Sequence, residues 1–337
     1  MRALVVERPG AAAVREVPAP EPGPGEVQVR VGAAGICGSD VELLEGRRPA
    51  PFVRYPIIPG HEWAGTIAAL GPDVAGLRPG DVVVAEGFRA CGVCARCREG
   101  RTNLCAAEYA ETGFTHPGAF AEALCVPAQL VHRLPDGADV AAAAVLEPAA
   151  CVAQGLLEVD LRPGLSVAVV GAGTLGLLAV ALLRLSSPAR LALVGTRAAR
   201  LELGRRLGAT ETHDVREDDA AGLSASFDLV FEAAGTPDGV RTALGLARRG
   251  GTVVLEGISG RAGGADADTI ALGHLRVQGI FGASRNAWGW VTELFAAGLL
   301  DTGPLVSHSF PLDRYEDAFA ALADRGGPAV KVQLTPT

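Results

Sequence analysis

The middle of the chain alternates short apolar runs with longer segments of helical periodicity. The apolar runs have the length of buried strands and are "LSVAVV" (165–170), "RLALVG" (190–195), "FDLVFEAAG" (227–235) and "GTVVLEGI" (251–258). Helical segments follow the first three of these runs, namely "LGLLAVALLRL", "RAARLELGRRLGA" and "PDGVRTALGLARRG". Regular alternation of strands and helices predicts right-handed crossovers and a doubly wound parallel sheet. We place this α/β domain at residues 152–282.

The segments on either side of this α/β domain have a different sequence pattern. Short strand patterns separated by glycine and proline, such as "EVQVRVGAAGICGSD" and "PGDVVVAEG", predict an irregular β-rich domain over residues 1–151. Near the end of the chain, "PLDRYEDAFAALADR" has the periodicity of a helix and "AVKVQLT" that of a strand. We expect this tail, residues 283–337, to return to the first domain.

Composition and charge exclude several classes of partner. Of the 337 residues, 49% are hydrophobic and 44 are glycine, which is typical of a compact, turn-rich protein. The formal charge is −8 without any basic run, so we expect neither nucleic acid nor a membrane surface as a partner. The uncharged stretch 163–183 could cross a bilayer, but "GAGTLG" divides it into a strand and a helix. "MRALVVERPG" lacks the features of a signal peptide, so we expect a cytoplasmic protein.

Four of the seven cysteines lie close together, at Cys91, Cys94, Cys97 and Cys105. Disulfides would add little to a chain of this length, and a reducing cytoplasm disfavours them. Four thiolates on one tight loop, at about residues 88–108, favour a closed tetrahedral zinc site that stabilises the loop. An iron–sulfur cluster uses similar ligands and is the alternative.

A glycine triplet follows the first strand of the α/β domain. Gly171, Gly173 and Gly176 form G-x-G-x-x-G, with Thr174 and Leu175 inside the motif. Between a strand and a helix, these glycines allow a tight turn, close approach of a pyrophosphate and close packing of helix on strand. The pattern predicts a dinucleotide site, and a similar sheet without a nucleotide is the alternative.

Further candidate metal ligands lie far apart in the chain. They are Cys37 in "GICGSD", His61 and Glu62 in "PGHEWAG", and Glu147 in "LEPAACV". Taken singly, each has an ordinary interpretation as a buried thiol, a hydrogen-bonded turn histidine or a solvated charge.

Together these motifs resemble the zinc-dependent medium-chain dehydrogenase/reductase family, which contains alcohol, sorbitol and threonine dehydrogenases. The resemblance spans nearly the whole chain and rests on "GICGSD", "PGHEWAG", the four-cysteine loop, "LEPAACV", "GAGTLG" and "FDLVFEAAG" in the family's order. It implies a GroES-like β-rich catalytic domain, a Rossmann domain, two zinc ions per chain and association into a homodimer or homotetramer.

The resemblance also implies roles for individual residues. Cys37, His61, Glu62 and Glu147 would hold a catalytic zinc ion, and which glutamate binds directly stays open. Glutamate at position 147 resembles the polyol-dehydrogenase branch. Asp40 would accept a hydrogen bond from the ring of His61.

The implied reaction moves a hydride between a small-molecule alcohol or ketone and a nicotinamide, with zinc as a Lewis acid. Ser39 matches the family's proton-accepting serine or threonine. A histidine that continues the proton relay in many relatives is replaced here by Glu42, so Glu42 or water would take the outer step. The four-cysteine zinc site would contribute stability.

The cofactor choice depends on the end of the second strand of the α/β domain. Many NAD enzymes place an acid there, whereas this chain has Gly195, followed by Thr196, Arg197 and Arg200. We expect the arginines to bind the 2′-phosphate and to favour NADP(H) over NAD(H); solvated arginines at a helix start are the alternative.

The substrate class is inferred from the glutamate-bearing zinc site. It favours a polyol, sugar or cyclitol oxidised at a secondary carbon. Candidate lining residues are Trp63, Phe88, Phe114, His116, Arg285 and Trp288. A reductase working toward the alcohol would carry the same motifs, and a non-catalytic member of the fold would usually lack the zinc ligands.

Overall fold

The computed structural model describes residues 1–216, 223–324 and 326–336. Its internal contacts divide the chain into a split unit, Met1–Glu147 with Ser284–Thr337, and a continuous unit, Pro148–Ala283. The strands are β1 (Arg2–Arg8), β2 (Ala11–Glu16), β3 (Glu26–Gly35), β4 (Glu62–Leu70), β5 (Val82–Ala85), β6 (Ala123–Pro127), β7 (Val131–Arg133), β8 (Ser166–Val170), β9 (Arg190–Gly195), β10 (Glu211–Asp214), β11 (Phe227–Glu232), β12 (Ala247–Leu255), β13 (Arg276–Gly279), β14 (Val306–Pro311) and β15 (Lys331–Thr335). The helices are α1 (Gly38–Glu45), α2 (Ala95–Arg98), α3 (Val140–Ala143), α4 (Leu146–Leu157), α5 (Thr174–Leu183), α6 (Ala198–Leu207), α7 (Pro237–Leu246), α8 (Ala267–Gly273), α9 (Arg285–Ala296) and α10 (Tyr315–Ala323).

A mixed sheet forms the centre of the split unit. Its strands follow the order β14-β15-β3-β4-β5-β7, and β6 also pairs with β3. In β3, Val27, Val29 and Val31 are buried while the residues between them are not, which is the period-two pattern of a strand with one face on a core. This face packs with Ile67 of β4 and Phe120 in one apolar cluster.

The pairing of β3 with its neighbours positions the candidate metal ligands. Gly35, at the end of β3, lies opposite Glu62, the first residue of β4, and opposite Gln333 of β15 on the other side. Cys37 follows β3 by two residues, and His61 directly precedes β4. The end of β3, the start of β4 and the middle of β15 therefore bring distant parts of the sequence together.

The continuous unit contains a six-stranded parallel sheet in the order β10-β9-β8-β11-β12-β13. The predicted α/β class, with a β-rich domain beside a doubly wound parallel sheet, is confirmed. Every residue of α5 from Gly176 to Leu183 is buried, which explains the long uncharged stretch. Within the described residues, no helix is both long and apolar enough to cross a membrane.

One predicted element is wrong at its end. The helical pattern of "PDGVRTALGLARRG" suggests a helix that continues to residue 250, but α7 ends at Leu246 and β12 begins at Ala247. Ala247 pairs with Phe227 of β11, and the Arg248 side chain donates a 2.6 Å hydrogen bond to Asp228. Pairing with the neighbouring strand therefore overrides the local helical pattern.

Candidate active site

Cys37, His61 and Glu62 offer one ligand atom each, and these three atoms all lie within 4.8 Å of one another. The backbone N–H of Cys37 donates a 2.9 Å hydrogen bond to the Asp40 carboxylate, which fixes the start of α1. A thiolate, an imidazole and a carboxylate at such spacing suit zinc in both number and chemistry.

The ring of His61 is held on one side by Asp40. Its Nδ1 lies 3.5 Å from the Asp40 carboxylate, and both side chains are buried. Burial alone would lower the pKa of His61, but the Asp40 carboxylate overcomes this and raises it well above the usual range. A metal ligand must be neutral imidazole, so binding of a cation here displaces that proton.

Glu62 is paired with a lysine that sequence patterns did not single out. The ammonium of Lys331 in β15 lies 2.5 Å from a carboxylate oxygen of Glu62 and donates to the carbonyl of Ile36 at 3.3 Å. Both side chains are buried. A Cβ on Gly35 would come 2.3 Å from that carboxylate, so the pair needs glycine at this position of β3.

Glu147 stands in the first turn of α4, half-buried, and among the described residues it is not part of the close three-atom set. Burial raises the pKa of Glu147 to about 7; His61 opposes this rise and Glu62 adds to it. Glu147 is therefore within electrostatic reach of both residues.

The two candidate relay residues both lie on α1. Ser39 is half-buried in the first turn, two residues after Cys37. Glu42 is one turn further on, and its carboxylate lies 3.5 Å from the guanidinium of Arg47. The carboxylate of Glu42 is 31% exposed, so solvent reaches it.

The four-cysteine loop forms a second set of converging ligands. The sulfurs of Cys91, Cys94, Cys97 and Cys105 all lie within 4.8 Å of one another. Backbone N–H groups of Ala106 and Cys97 lower the pKa of Cys94 to about 6, which favours the thiolate that binds metal. With four thiols and no further donor needed, the geometry fits a closed structural zinc site.

The continuous unit contains a cleft of about 300 Å³ at the ends of its central strands. Gly171 and Gly173 line it, and a Cβ on Gly173 would meet no atom within 4 Å, which leaves the space that a phosphate requires. A Cβ on Gly176 would lie 1.7 Å from the Gly171 carbonyl oxygen, so this glycine serves helix packing. Thr174 and Leu175 begin α5 and are not among the lining residues.

The same cleft is lined by Gly195, Thr196, Arg197 and Arg200. A Cβ on Gly195 would come 2.9 Å from the Cβ of Ala172, so an acidic side chain would not fit without movement. Burial and the like charge of Arg197 lower the pKa of Arg200 to about 10, which leaves it protonated at neutral pH. The cleft therefore carries two guanidinium groups and no carboxylate at position 195.

Several candidate substrate-lining residues have structural roles instead. Trp63 is 3% exposed within the core of the split unit, and Trp288 is buried and stacks on His132. Arg285 donates a 2.8 Å hydrogen bond to buried Glu86. Phe114 is 1% exposed and packs against the ring of His61.

The remaining two candidates, Phe88 and His116, are both half-buried. Phe88 meets the ring of Tyr109 edge to face, and a ring nitrogen of His116 lies 3.2 Å from the hydroxyl of Thr115. Both therefore have neighbours within the split unit.

Comparison with known proteins agrees with both units. Residues 23–136 match the alcohol dehydrogenase GroES-like domain, and residues 174–297 match the zinc-binding dehydrogenase domain. The chain is 33% identical to L-threonine 3-dehydrogenase of Anaeromyxobacter sp. (strain Fw109-5) over 347 aligned positions, covering 99% of both chains.

Solved structures give the same result. A protein from Sinorhizobium meliloti 1021, described as a zinc-binding dehydrogenase and bound to NADP, superposes with a TM-score of 0.92 at 33% identity, covering 99% of each chain. Galactitol-1-phosphate dehydrogenase from Escherichia coli superposes with a TM-score of 0.90 at 27% identity over the whole of both chains. The chain belongs to the zinc-dependent medium-chain dehydrogenase/reductase family, whose members include alcohol, threonine and polyol dehydrogenases.

Proposed function

We propose that this protein oxidises a secondary alcohol of the polyol, sugar or cyclitol class, with zinc at the substrate oxygen and NADP as the hydride acceptor. The observation that carries the proposal is the convergence of Cys37, His61 and Glu62 within 4.8 Å, with Glu147 in electrostatic reach. A thiolate with an imidazole and carboxylates is a donor set that holds zinc and leaves room for a substrate.

We assign the residues of the catalytic metal site as follows. Cys37 and His61 bind directly, and Asp40 keeps the other ring nitrogen of His61 engaged. Glu62 is tied to Lys331 at 2.5 Å, so a buried cation already neutralises it. We assign to Glu147 the exchange with substrate, because it lies within electrostatic reach of His61 and Glu62.

Bound zinc supplies a Lewis acid that polarises the alcohol oxygen and makes its proton easier to remove. Ser39, half-buried in the first turn of α1, accepts that proton from the substrate. Glu42, one turn further on and partly exposed, receives it and releases it to solvent. The split unit therefore supplies both the substrate site and the path of the proton.

The four-cysteine loop holds the second zinc ion. Its ligands belong to the loop 88–108, and those ligands leave no free coordination position for a substrate. We assign to this ion a purely structural role.

The preference for NADP rests on the cleft of the continuous unit. An acid at position 195 would repel the 2′-phosphate, whereas glycine leaves Arg197 and Arg200 to bind it. The NADP bound to the Sinorhizobium meliloti relative, at 33% identity, supports the same choice.

The proposal is tested by measuring kcat/KM for a panel of secondary alcohols, polyols and cyclitols with NADP and with NAD. Wild type should have a higher kcat/KM with NADP than with NAD. In Arg197→Ala, kcat/KM with NADP should fall by roughly 10-fold to 100-fold, while kcat/KM with NAD should be nearly unchanged. The reason is that a charge-assisted hydrogen bond contributes about 1.5–3 kcal/mol.

A matched control is Arg205→Ala, because Arg205 lies on α6, the helix that directly follows Arg197, is exposed and pairs with Glu202 instead of lining the cleft. It should leave the use of both cofactors unchanged. A wild type that favours NAD, or an Arg197→Ala enzyme that loses both cofactors equally, would refute the cofactor assignment. Absence of turnover across the whole panel would refute the substrate class.

We also propose that two copies associate through the edge of the parallel sheet. β13 is the last strand in the sheet order, and Val277 on it, Phe281 just beyond it and Leu272 of α8 are large exposed apolar residues. Pairing of two such edges across a twofold axis would bury them. Light scattering at micromolar concentration should give a dimer or tetramer, and a monomer would contradict this assignment.

A further inference from the structure

Two side chains are stacked against the ring of His61. The ring of Phe114 lies 4.7 Å from that of His61, centroid to centroid, with a tilt of 37°. The guanidinium carbon of Arg48 lies over the same Phe114 ring, 3.5 Å from the ring centroid. Phe114 is 1% exposed, so this stack is part of the interior.

Arg48 is held in place by several polar contacts. Its Nε donates a 2.9 Å hydrogen bond to the carbonyl of Phe52, and its Nη2 donates to the hydroxyl of Tyr109 at 2.8 Å. The same Nη2 lies 3.4 Å from the carboxylate of Glu111, to which Tyr109 also donates. The guanidinium therefore lies over Phe114, and the contacts of its nitrogens hold it there.

The aromatic neighbours of Tyr109 make the support rigid. The Tyr109 ring meets Phe52 edge to face at 4.9 Å and Phe88 edge to face at 5.9 Å. Side chains fixed in this way by packing and hydrogen bonds hold the residues they support in one rotamer. Tyr109 and its two neighbours thus keep Arg48 from tilting.

The position of Arg48 also matters for charge. The acids near the metal ligands are Asp40, Glu62, Glu111 and Glu147, and the buried cation among them is Lys331. Arg48 interacts electrostatically with Glu111, Asp40 and Cys37, so it is a second cation near the cluster.

We propose that Arg48 is a positioning residue for the catalytic metal site, acting through Phe114 to fix the ring of the ligand His61. Asp40 restrains the edge of that ring, whereas Phe114, pressed by Arg48, restrains its face. Residues outside the ligand set that orient a ligating histidine typically change metal affinity by about 10-fold to 100-fold when they are replaced. The inference rests on the proposed zinc site.

The test measures zinc affinity and the visible spectrum of the cobalt-substituted protein. The signal of the catalytic site is the part of the spectrum that Cys37→Ser removes. Arg48→Met should weaken zinc at this site by about 10-fold to 100-fold and shift the cobalt bands. Arg48→Lys, which keeps the charge but not the planar stack, should restore only part of the affinity.

A matched control comes from the continuous unit, where Arg190 stacks on Phe227 at 4.4 Å. Arg190→Met removes a similar pair and should leave the cobalt spectrum and zinc affinity unchanged. Because Arg48→Met leaves Glu111 buried beside an apolar side chain, the double variant Arg48→Met with Glu111→Gln removes both charges together. It should show the same spectral shift, as should Phe114→Leu.

The outcomes separate the two proposals. If the cobalt spectrum of Cys37→Ser is the same as that of wild type, the proposed zinc site is overturned and this inference with it. If the wild-type protein binds cobalt at this site, and the Arg48 variants have the same zinc affinity and the same cobalt spectrum as wild type, only the role of Arg48 is overturned.

Discussion

Replacement of Cys37 by serine is expected to abolish turnover while the protein stays folded. Cys37 lies at the start of α1 and supplies the only sulfur of the close three-atom set. A hydroxyl is a much poorer zinc ligand than a thiolate, so the Lewis acid is lost. Several kcal/mol of transition-state stabilisation depend on it, and kcat/KM should fall by about 1000-fold or more.

The matched variant is Cys94→Ser in the four-cysteine loop. Its main effect should be a lower midpoint of thermal unfolding, because it removes a ligand from a site that stabilises a loop. Metal analysis should find about two zinc ions per chain in wild type and about one in each variant. Near wild-type activity in Cys37→Ser would show that the catalytic assignment is wrong.

Removal of the Ser39 hydroxyl is expected to have the second largest effect. Ser39 lies two residues after Cys37 in the first turn of α1, and we propose that it accepts the proton of the substrate. A positioned proton acceptor contributes roughly 100-fold to 10,000-fold to the rate, so kcat of Ser39→Ala should fall within that range. The affinity for NADP, measured by cofactor fluorescence, should change little.

Ser39→Thr is the conservative control, because it keeps the hydroxyl. We expect it to retain most of the activity. Equal and small losses in both variants would mean that another group removes the proton. A loss of NADP affinity as large as the loss of kcat would point to a structural effect.

Local sequence patterns were sufficient to predict the fold wherever the tertiary packing follows the same hydrophobic periodicity as the sequence. The valines of β3 alternate with residues that are not buried, and apolar runs alternate with helical segments in the continuous unit, so the β-rich domain and the parallel sheet could be predicted. The end of α7 could not, because Arg248 and Gly250 carry no strand pattern and take their conformation from pairing with β11. Long-range pairing has no local signature.

The same limit applies to the candidate site. Cys37, His61 and Glu62 stand in recognisable motifs. Lys331, by contrast, is 269 residues away from Glu62 in sequence and stands among apolar residues of a short strand. Arg48 lies in a proline-containing loop without periodicity. Only the three-dimensional structure shows that these two cations approach the candidate metal ligands.

The division of the split unit into two segments determines when each site can be completed during synthesis. The four-cysteine loop is finished once residue 105 has left the ribosome, so it can take up metal while translation continues. Domains generally fold as units in the order of synthesis, and the continuous unit is complete at Ala283. Glu62 receives its cation only when β15 arrives and pairs with the end of β3. In a chain that ends shortly before residue 331, the carboxylate of Glu62 beside Cys37 and His61 therefore lacks the lysine that pairs with it in the structure.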